Sequence, residues 1–274
     1  MKQLIIVAKG GLANRMRAIA SGVSLASHAG ADYRVVWPVN SELKCPFEKL
    51  FLPSHGFHAP ENVSALKALF LYDDNRKRNL MLARLLQTGR YNLRLTDGMQ
   101  WPEPDRIAET IGATSGRILI ASGLSYYPFA GALYRELFRV RPEIEAEASR
   151  RLGGDGKSFV GIHIRRTDNR MSIERSPLEL FINAMQGEIA SHPEVKFYLA
   201  TDDEATKQTL REHFGARIVC SPAKARRDTQ EGIVEAVVEM TALSLCRGIY
   251  GSYWSSFSEA AALLGATPLT ILSV

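Results

Sequence analysis

Cysteine is scarce in this chain of 274 residues: Cys45, Cys220 and Cys246 are odd in number and far apart. No CxxC pair or Cys/His cluster joins them, which excludes a zinc ribbon and a disulfide framework and leaves free thiols. No apolar run reaches the roughly 18 residues of a membrane span. The apolar stretch within Met1–Lys9 is too short for a signal h-region and lacks a small-residue cleavage site, so it reads as a first strand and the chain as cytoplasmic. A Walker loop, GxGxxG, GxSxG, HExxH and the kinase motif set are all missing. The pair Asp202-Asp203 does not have the spacing of a DxD metal–diphosphate element, so no metal is expected. There is no internal repeat and no low-complexity segment.

Charge of one sign is not concentrated either. Lys and Arg number 34 against 29 Asp and Glu, a net +5, and most basic residues alternate with acids, as in Arg135-Glu136. Short clusters such as Arg76-Lys77-Arg78 read as solvated surface. With no aromatic stripe and no recognition-helix pattern, a basic α/β protein binding nucleic acid is the weaker alternative.

What is present is alternation of apolar runs with amphipathic segments, the signature of an α/β fold. Leu4–Ala8 is expected as a strand, Gly10-Gly11 as a turn, Leu12–Ala29 as a helix and Tyr33–Val39 as the next strand, one βαβ unit. Residues 40–115 are less regular, with a helix expected over Asn79–Leu86; Arg117–Ala121 is a further strand. The second half predicts strands at Phe159–Arg165, Lys196–Thr201, Arg217–Cys220, Gly248–Gly251 and Leu269–Leu272. Helices at Pro177–His192, Asp203–Phe214, Gly232–Leu245 and Ser256–Leu264 separate them. A boundary near Pro142, followed by a helix over Glu143–Leu152, divides the chain into domains 1–141 and 142–274. Two Rossmann-like α/β domains of this kind, facing each other across a cleft, would make a GT-B-like glycosyltransferase.

Four constellations carry chemistry. In the first, Phe159-Val160-Gly161-Ile162-His163-Ile164-Arg165-Arg166-Thr167-Asp168, an apolar strand breaks into charge. The C-terminal end of such a strand is where open α/β sheets bind ligands, and two adjacent guanidiniums suit a phosphate or diphosphate. Strand alternation puts His163 and Arg165 on one side and Arg166 on the other. One arginine can then meet a ligand while the other pairs with a carboxylate such as Asp168; an Arg–Asp pair that only pins the strand end is the competing reading. The second is Ala200-Thr201-Asp202-Asp203, at another strand end. Asp202 is the candidate for ligand or arginine contact, while Asp203 fits a helix N-cap at least as well as a ligand role. In the third, Gly251 to Ala261, a strand runs into a Ser-rich turn and an Ala-rich helix. Its free N–H groups and the positive end of its dipole favour phosphate near Ser255, Ser256, Phe257 and Ser258; simple capping by serine is the alternative. The fourth is Gly10-Gly11-Leu12-Ala13-Asn14-Arg15-Met16-Arg17, a glycine turn opening a helix.

His163–Asp168 resembles the diphosphate-binding signature of α-1,6-fucosyltransferases, the rhizobial nodulation and core N-glycan enzymes, and more loosely that of α-1,2- and protein O-fucosyltransferases. Ser176-Pro177-Leu178-Glu179, Phe197–Asp203, Glu239–Ser244 and Gly251–Ala261 follow in that family's order, and Gly11 to Arg17 is similar to its Gly-x-x-Asn-x-x-Arg turn. The resemblance implies a GT-B-like fold, GDP-fucose as co-substrate, inversion at the anomeric carbon, no cofactor or metal, and a glycan or other hydroxyl acceptor; another GDP-hexose or nucleotide sugar is the alternative donor. It also implies that Arg165 stabilises the leaving diphosphate, that His163 lies near the ribose or phosphate, and that Ser255 and Ser256 bind phosphate; Arg166 and Asp202 join the donor-side set from their strand ends, Arg166, on the opposite face, as structural support. Glu239 falls where the family has an Asp that reads guanine. Gly11, Asn14 and Arg17 fall on the acceptor side. Asp168 and Glu174 are the candidate bases; Asn169 stands where the core enzymes have Lys, and Glu174 lies one position beyond their carboxylate.

Overall fold

The computed structural model describes residues 2–54, 56–71, 80–97, 101–167 and 169–274. The basic cluster Arg76-Lys77-Arg78, the expected helix start at Asn79 and the candidate base Asp168 lie outside the described residues. The chain divides into two compact units, one of Met1–Arg139 with Arg227–Gln230, the other of Val140–Arg226 with Glu231–Val274.

The first unit contains, in order, β1 (Gln3–Ala8), α1 (Leu12–His28), β2 (Asp32–Val39), β3 (Phe51–Leu52), β4 (Glu61–Ser64), α2 (Ala65–Leu71), α3 (Leu80–Gln87), β5 (Leu93–Thr96), α4 (Pro104–Ala113), β6 (Arg117–Ser122) and α5 (Gly131–Leu137). Its main sheet has the order β4-β2-β1-β6-β5, and every pair is parallel. Leu4 to Ala8 and Ile118 to Ala121 are buried without exception, as strands covered on both faces must be. The stretch read as irregular holds two short edge strands, β4 and β5, and an aromatic cluster. There Phe47 meets Trp37 at 5.5 Å and Phe51 at 5.2 Å between ring centroids, and the Trp37 indole donates to Cys45 O at 2.8 Å.

After β7 (Arg139–Val140) the second unit runs α6 (Pro142–Arg151), β8 (Phe159–Ile164), α7 (Arg170–Arg175), α8 (Leu178–Ser191), β9 (Lys196–Thr201), α9 (Glu204–Phe214), β10 (Ile218–Cys220), α10 (Gln230–Leu245), β11 (Ile249–Ser252), α11 (Ser256–Gly265) and β12 (Leu269–Leu272). The expected strands and helices are found within one or two residues. The one helix not anticipated is α7, which falls between the first constellation and Ser176-Pro177. The sheet order is β10-β9-β8-β11-β12, parallel throughout. In strand sequence this is 3-2-1-4-5, the doubly wound order whose reversal leaves a crevice outside the carboxyl ends of the two central strands, here β8 and β11. Core side chains Val160, Ile162, Ile164, Phe181, Met185, Phe197, Leu199 and Leu210 pack into one cluster beneath that crevice. Gly251 brings α11 close to β11: a Cβ there would lie 2.6 Å from Ser258 Oγ.

Candidate functional site

All six residues of β8 are buried, and the backbone turns outward immediately beyond Ile164. The emerging segment is organised by Asp202, at the end of the neighbouring strand β9. One carboxylate oxygen of Asp202 accepts from Arg166 N at 2.8 Å. The other accepts from Thr167 Oγ1 at 2.7 Å and from Arg165 Nε at 3.1 Å. Hydrogen bonds to charged groups contribute about 1.5–3 kcal/mol each, so one buttressing carboxylate fixes three consecutive residues. From the other side Ser252, fully buried at the end of β11, accepts from Arg165 N at 3.1 Å through its hydroxyl oxygen. Asp202 therefore serves as an arginine contact, the second of the two roles the sequence offered. Asp203 is a helix cap: it accepts from Thr206 N at 2.8 Å and Thr206 Oγ1 at 2.7 Å at the start of α9. Those bonds hold its carboxyl below the ordinary range.

Two buried polar atoms on this segment have no partner, His163 Nδ1 and Arg166 Nη2. Buried polar groups are paired in the great majority of cases, so these two atoms, three residues apart, are available to a ligand. Burial first, and the nearby Arg165 guanidinium second, push His163 down to about 3, with Asp202 opposing. The imidazole is therefore neutral at physiological pH and acts through hydrogen bonds and ring contact. Burial also lowers Arg166, against the pull of Glu179, Asp203 and Asp202; an arginine so placed stays charged.

The His163 ring stacks on Phe257, with centroids 4.9 Å apart at 26°. Phe257 is in the first turn of α11, so the β8 end and the α11 N-terminus meet across the crevice. Ser255 occupies the N-cap position with extended backbone, yet its side chain makes no capping bond. Ser258 is fully buried and donates to Ser255 O at 3.1 Å. The first-turn N–H groups of α11 and its positive dipole end thus border the arginine-bearing segment, an arrangement suited to a phosphate.

Glu239, in the middle of α10, is buried. Desolvation, with Glu235 adding repulsion, pushes it up to about 8 against the opposing pull of Lys207 and Arg151. Its neighbour Glu235 is by contrast neutralised by Arg151, at 2.5 Å and 2.9 Å.

Beside the crevice, α7 holds the turn that precedes α11. Asn169 caps α7 by accepting from Ser172 N and donates through Nδ2 to Trp254 O at 3.0 Å. Ser172 Oγ donates to Tyr253 O at 2.5 Å, and Tyr253 N donates to Ser176 Oγ at 2.8 Å. Glu174 pairs with Arg170 at 2.5 Å, four residues earlier, and half its side chain is exposed.

In the first unit the corresponding strand reversal lies between β1 and β6. Gly10, with φ +80°, makes the turn after β1, and Gly11 is the N-cap of α1. Asn14 lies within about 3.1 Å of where a Gly10 side chain would begin. Arg17 Nε donates to Gly123 O at 2.9 Å, bridging the two strand ends. Arg15, overlooked in the sequence, is the fully buried member of the pair. It donates to Gly10 O at 2.6 Å, to Asn40 Oδ1 at 3.0 Å and to Pro38 O, with its guanidinium 5.2 Å from the Trp37 ring centroid. The signal was helix phase: Arg15 shares the apolar stripe of Leu12, Met16 and Ile19. Asp97, beyond β5, was also missed. It accepts from Ser122 Oγ at 2.5 Å and Gly123 N at 3.0 Å and faces Lys9 at 3.6 Å.

Among the described residues no group of three or more His, Cys, Asp or Glu is placed to hold a metal, and no helix is long and apolar enough to cross a membrane. Burial pushes the Cys246 thiol up to about 12.

No protein-family model matches this chain and no curated protein matches it in sequence. Solved structures do. The NodZ α-1,6-fucosyltransferase soaked with GDP-fucose superimposes with a TM-score of 0.65 at 19% identity, covering 96% of this chain and 92% of that one. NodZ from Bradyrhizobium gives 0.61 at 19% with the same coverage. The Arabidopsis thaliana FUT1 in complex with GDP gives 0.58 at 13%, covering 99% of this chain and 70% of that one. POFUT1 in complex with GDP-fucose gives 0.56 at 12%, covering 100% and 99%. The chain therefore has the GT-B-like α/β fold of these fucosyltransferases.

Proposed function

We propose that the chain is an inverting, metal-independent glycosyltransferase that moves fucose from GDP-fucose to a hydroxyl of a glycan or other acceptor. The observation that carries this is the meeting of the β8 end, where Asp202 and Ser252 fix Arg165, with the first turn of α11 through the His163–Phe257 stack, at the strand reversal of a sheet ordered 3-2-1-4-5. The fold shared with proteins solved with GDP and GDP-fucose supports the choice of nucleotide.

In the reaction, the bond from the anomeric carbon to the diphosphate oxygen breaks and GDP leaves with the electron pair. The acceptor oxygen attacks the opposite face of the ring, and its proton passes to a carboxylate, with Asp168 or Glu174 in that role. Charge on the diphosphate grows as the bond breaks. Arg165, its side chain held by Asp202 and its backbone by Ser252, and the N–H groups of Ser256–Ser258 stabilise it more in the transition state than before it. His163, neutral, lies against the nucleotide as a hydrogen-bonding and packing surface. Glu239 supplies the carboxylate that accepts two N–H groups of guanine. Gly11, Asn14 and Arg17, in the first unit, serve the acceptor.

Thermal shift tests the reading. GDP is expected to stabilise the protein more than UDP, ADP or CDP, and Arg165→Ala to lower transfer by about 10²–10³-fold while the protein remains folded. Near wild-type transfer by Arg165→Ala, or indifference to all four nucleotides, would sink it.

A further inference from the structure

Two described non-glycine residues have positive φ, Ala266 at +49° and Trp254 at +53°. Ala266 follows the last residue of α11, where a left-handed residue is the ordinary way to end a helix. Trp254 precedes a helix, where no such need exists, and a bulky aromatic side chain is disfavoured there. Its backbone is nevertheless over-determined. Asn169 Nδ2 holds its carbonyl, while Ser172 and Ser176 hold the carbonyl and N–H of Tyr253. The last strand steadies the same scaffold, since Ser176 Oγ also donates to Leu272 O at 2.5 Å. The side chain so displayed is 65% exposed, and Tyr253 stands edge-on to it with centroids 6.3 Å apart at 87°. Strain retained at this level, for an indole that buries little of itself, belongs to binding rather than to packing.

The position says what would bind. Trp254 adjoins Ser255, the N-cap of α11, so its Cα lies about 3.8 Å from that of the residue opening the helix end to which the diphosphate is assigned. A flat, rigid, exposed aromatic face offers a stacking surface to the C–H face of a pyranose ring, with its N–H left to reach a hydroxyl. We infer that Trp254, edged by Tyr253, is a pyranose platform of this site, a role that rests on the donor reading above. The ring is either the fucose of the donor or the terminal sugar of the acceptor.

Trp254→Gly tests it cleanly, because glycine adopts the same φ without strain and so leaves the fold no less stable. Calorimetric titration with GDP and GDP-fucose, together with binding to a glycan array, reads both sources. If the platform takes the donor sugar, Trp254→Gly weakens GDP-fucose about tenfold, the size of one lost aromatic contact, and leaves GDP unchanged. If it takes the acceptor, both nucleotide affinities hold and array binding falls by a similar factor, with partial rescue by Trp254→Phe. Unchanged GDP-fucose affinity together with glycan binding that is equal in the two proteins, or absent from both, overturns the platform. Failure of the wild type to bind GDP overturns the donor reading instead, and is seen separately.

Discussion

The two strand reversals of this molecule are built alike and finished differently. In the first unit, every strand-end polar residue described above is already spent on the fold: Arg15 on three acceptors, Arg17 on Gly123, Asp97 on Ser122 and Gly123. In the second, Asp202 and Ser252 impose similar order on the backbone, yet His163 Nδ1 and Arg166 Nη2 are left buried and unpaired. A saturated strand end adds stability; an unsaturated one retains binding energy for a ligand. Sheet order alone does not tell the two apart. Unpaired buried atoms occur in both units, Trp101 Nε1 among those of the first; what sets the second apart is that the His163 ring lies on the first turn of α11.

The largest effect expected from this contrast is at Asp202. Asp202→Ala removes the acceptor shared by Arg165, Arg166 and Thr167, and transfer should fall by about 10²–10³-fold. Asp97→Ala, the matching change in the first unit, should leave GDP affinity intact. Equal losses of GDP affinity in the two variants, measured by titration, would erase the distinction. Next comes Arg15→Met, which strands three acceptors and should cost about 3 kcal/mol of stability. That loss should appear in chemical denaturation while the folded fraction binds GDP normally; a stability like wild type would show that the arginine is not structural. The smallest effect is a slope. The Glu239 carboxyl is raised from the ordinary 4.5 to about 8 in the folded protein, so the folded state holds this proton more tightly than the unfolded one. Its contribution is complete below about pH 4.5 and is lost as pH climbs towards 8. Glu239→Gln should flatten the decline of stability with pH over that interval, and an unaltered decline would place the titration elsewhere.

Much of the second unit is legible in the sequence because its central strands are buried on both faces. Six buried residues in β8, followed at once by Arg165, Arg166 and Thr167, leave a run whose end cannot be misread. The strands missed in the first unit, β4 and β5, are short edges with mixed burial, so they carry neither an apolar run nor clean alternation. Asp202 was found because it adjoins a strong strand. Asp97 was not, because it follows a weak one. Asp203 illustrates a true ambiguity, since a cap and a ligand use the same carboxylate and only the Thr206 bonds decide. The left-handed turn at Trp254 had no sequence signal at all: the residues that enforce it, Asn169, Ser172 and Ser176, lie some 80 positions away.

The raised carboxyl of Glu239 has a calorimetric consequence under the proposed guanine contact. A guanine with two N–H donors would require the carboxylate, so at neutral pH its binding should expel a proton into solution. The heat of GDP binding then includes the ionisation heat of whichever buffer takes that proton. Titrations in Tris and in phosphate should disagree by the difference between the two, and should agree again once residue 239 can no longer ionise.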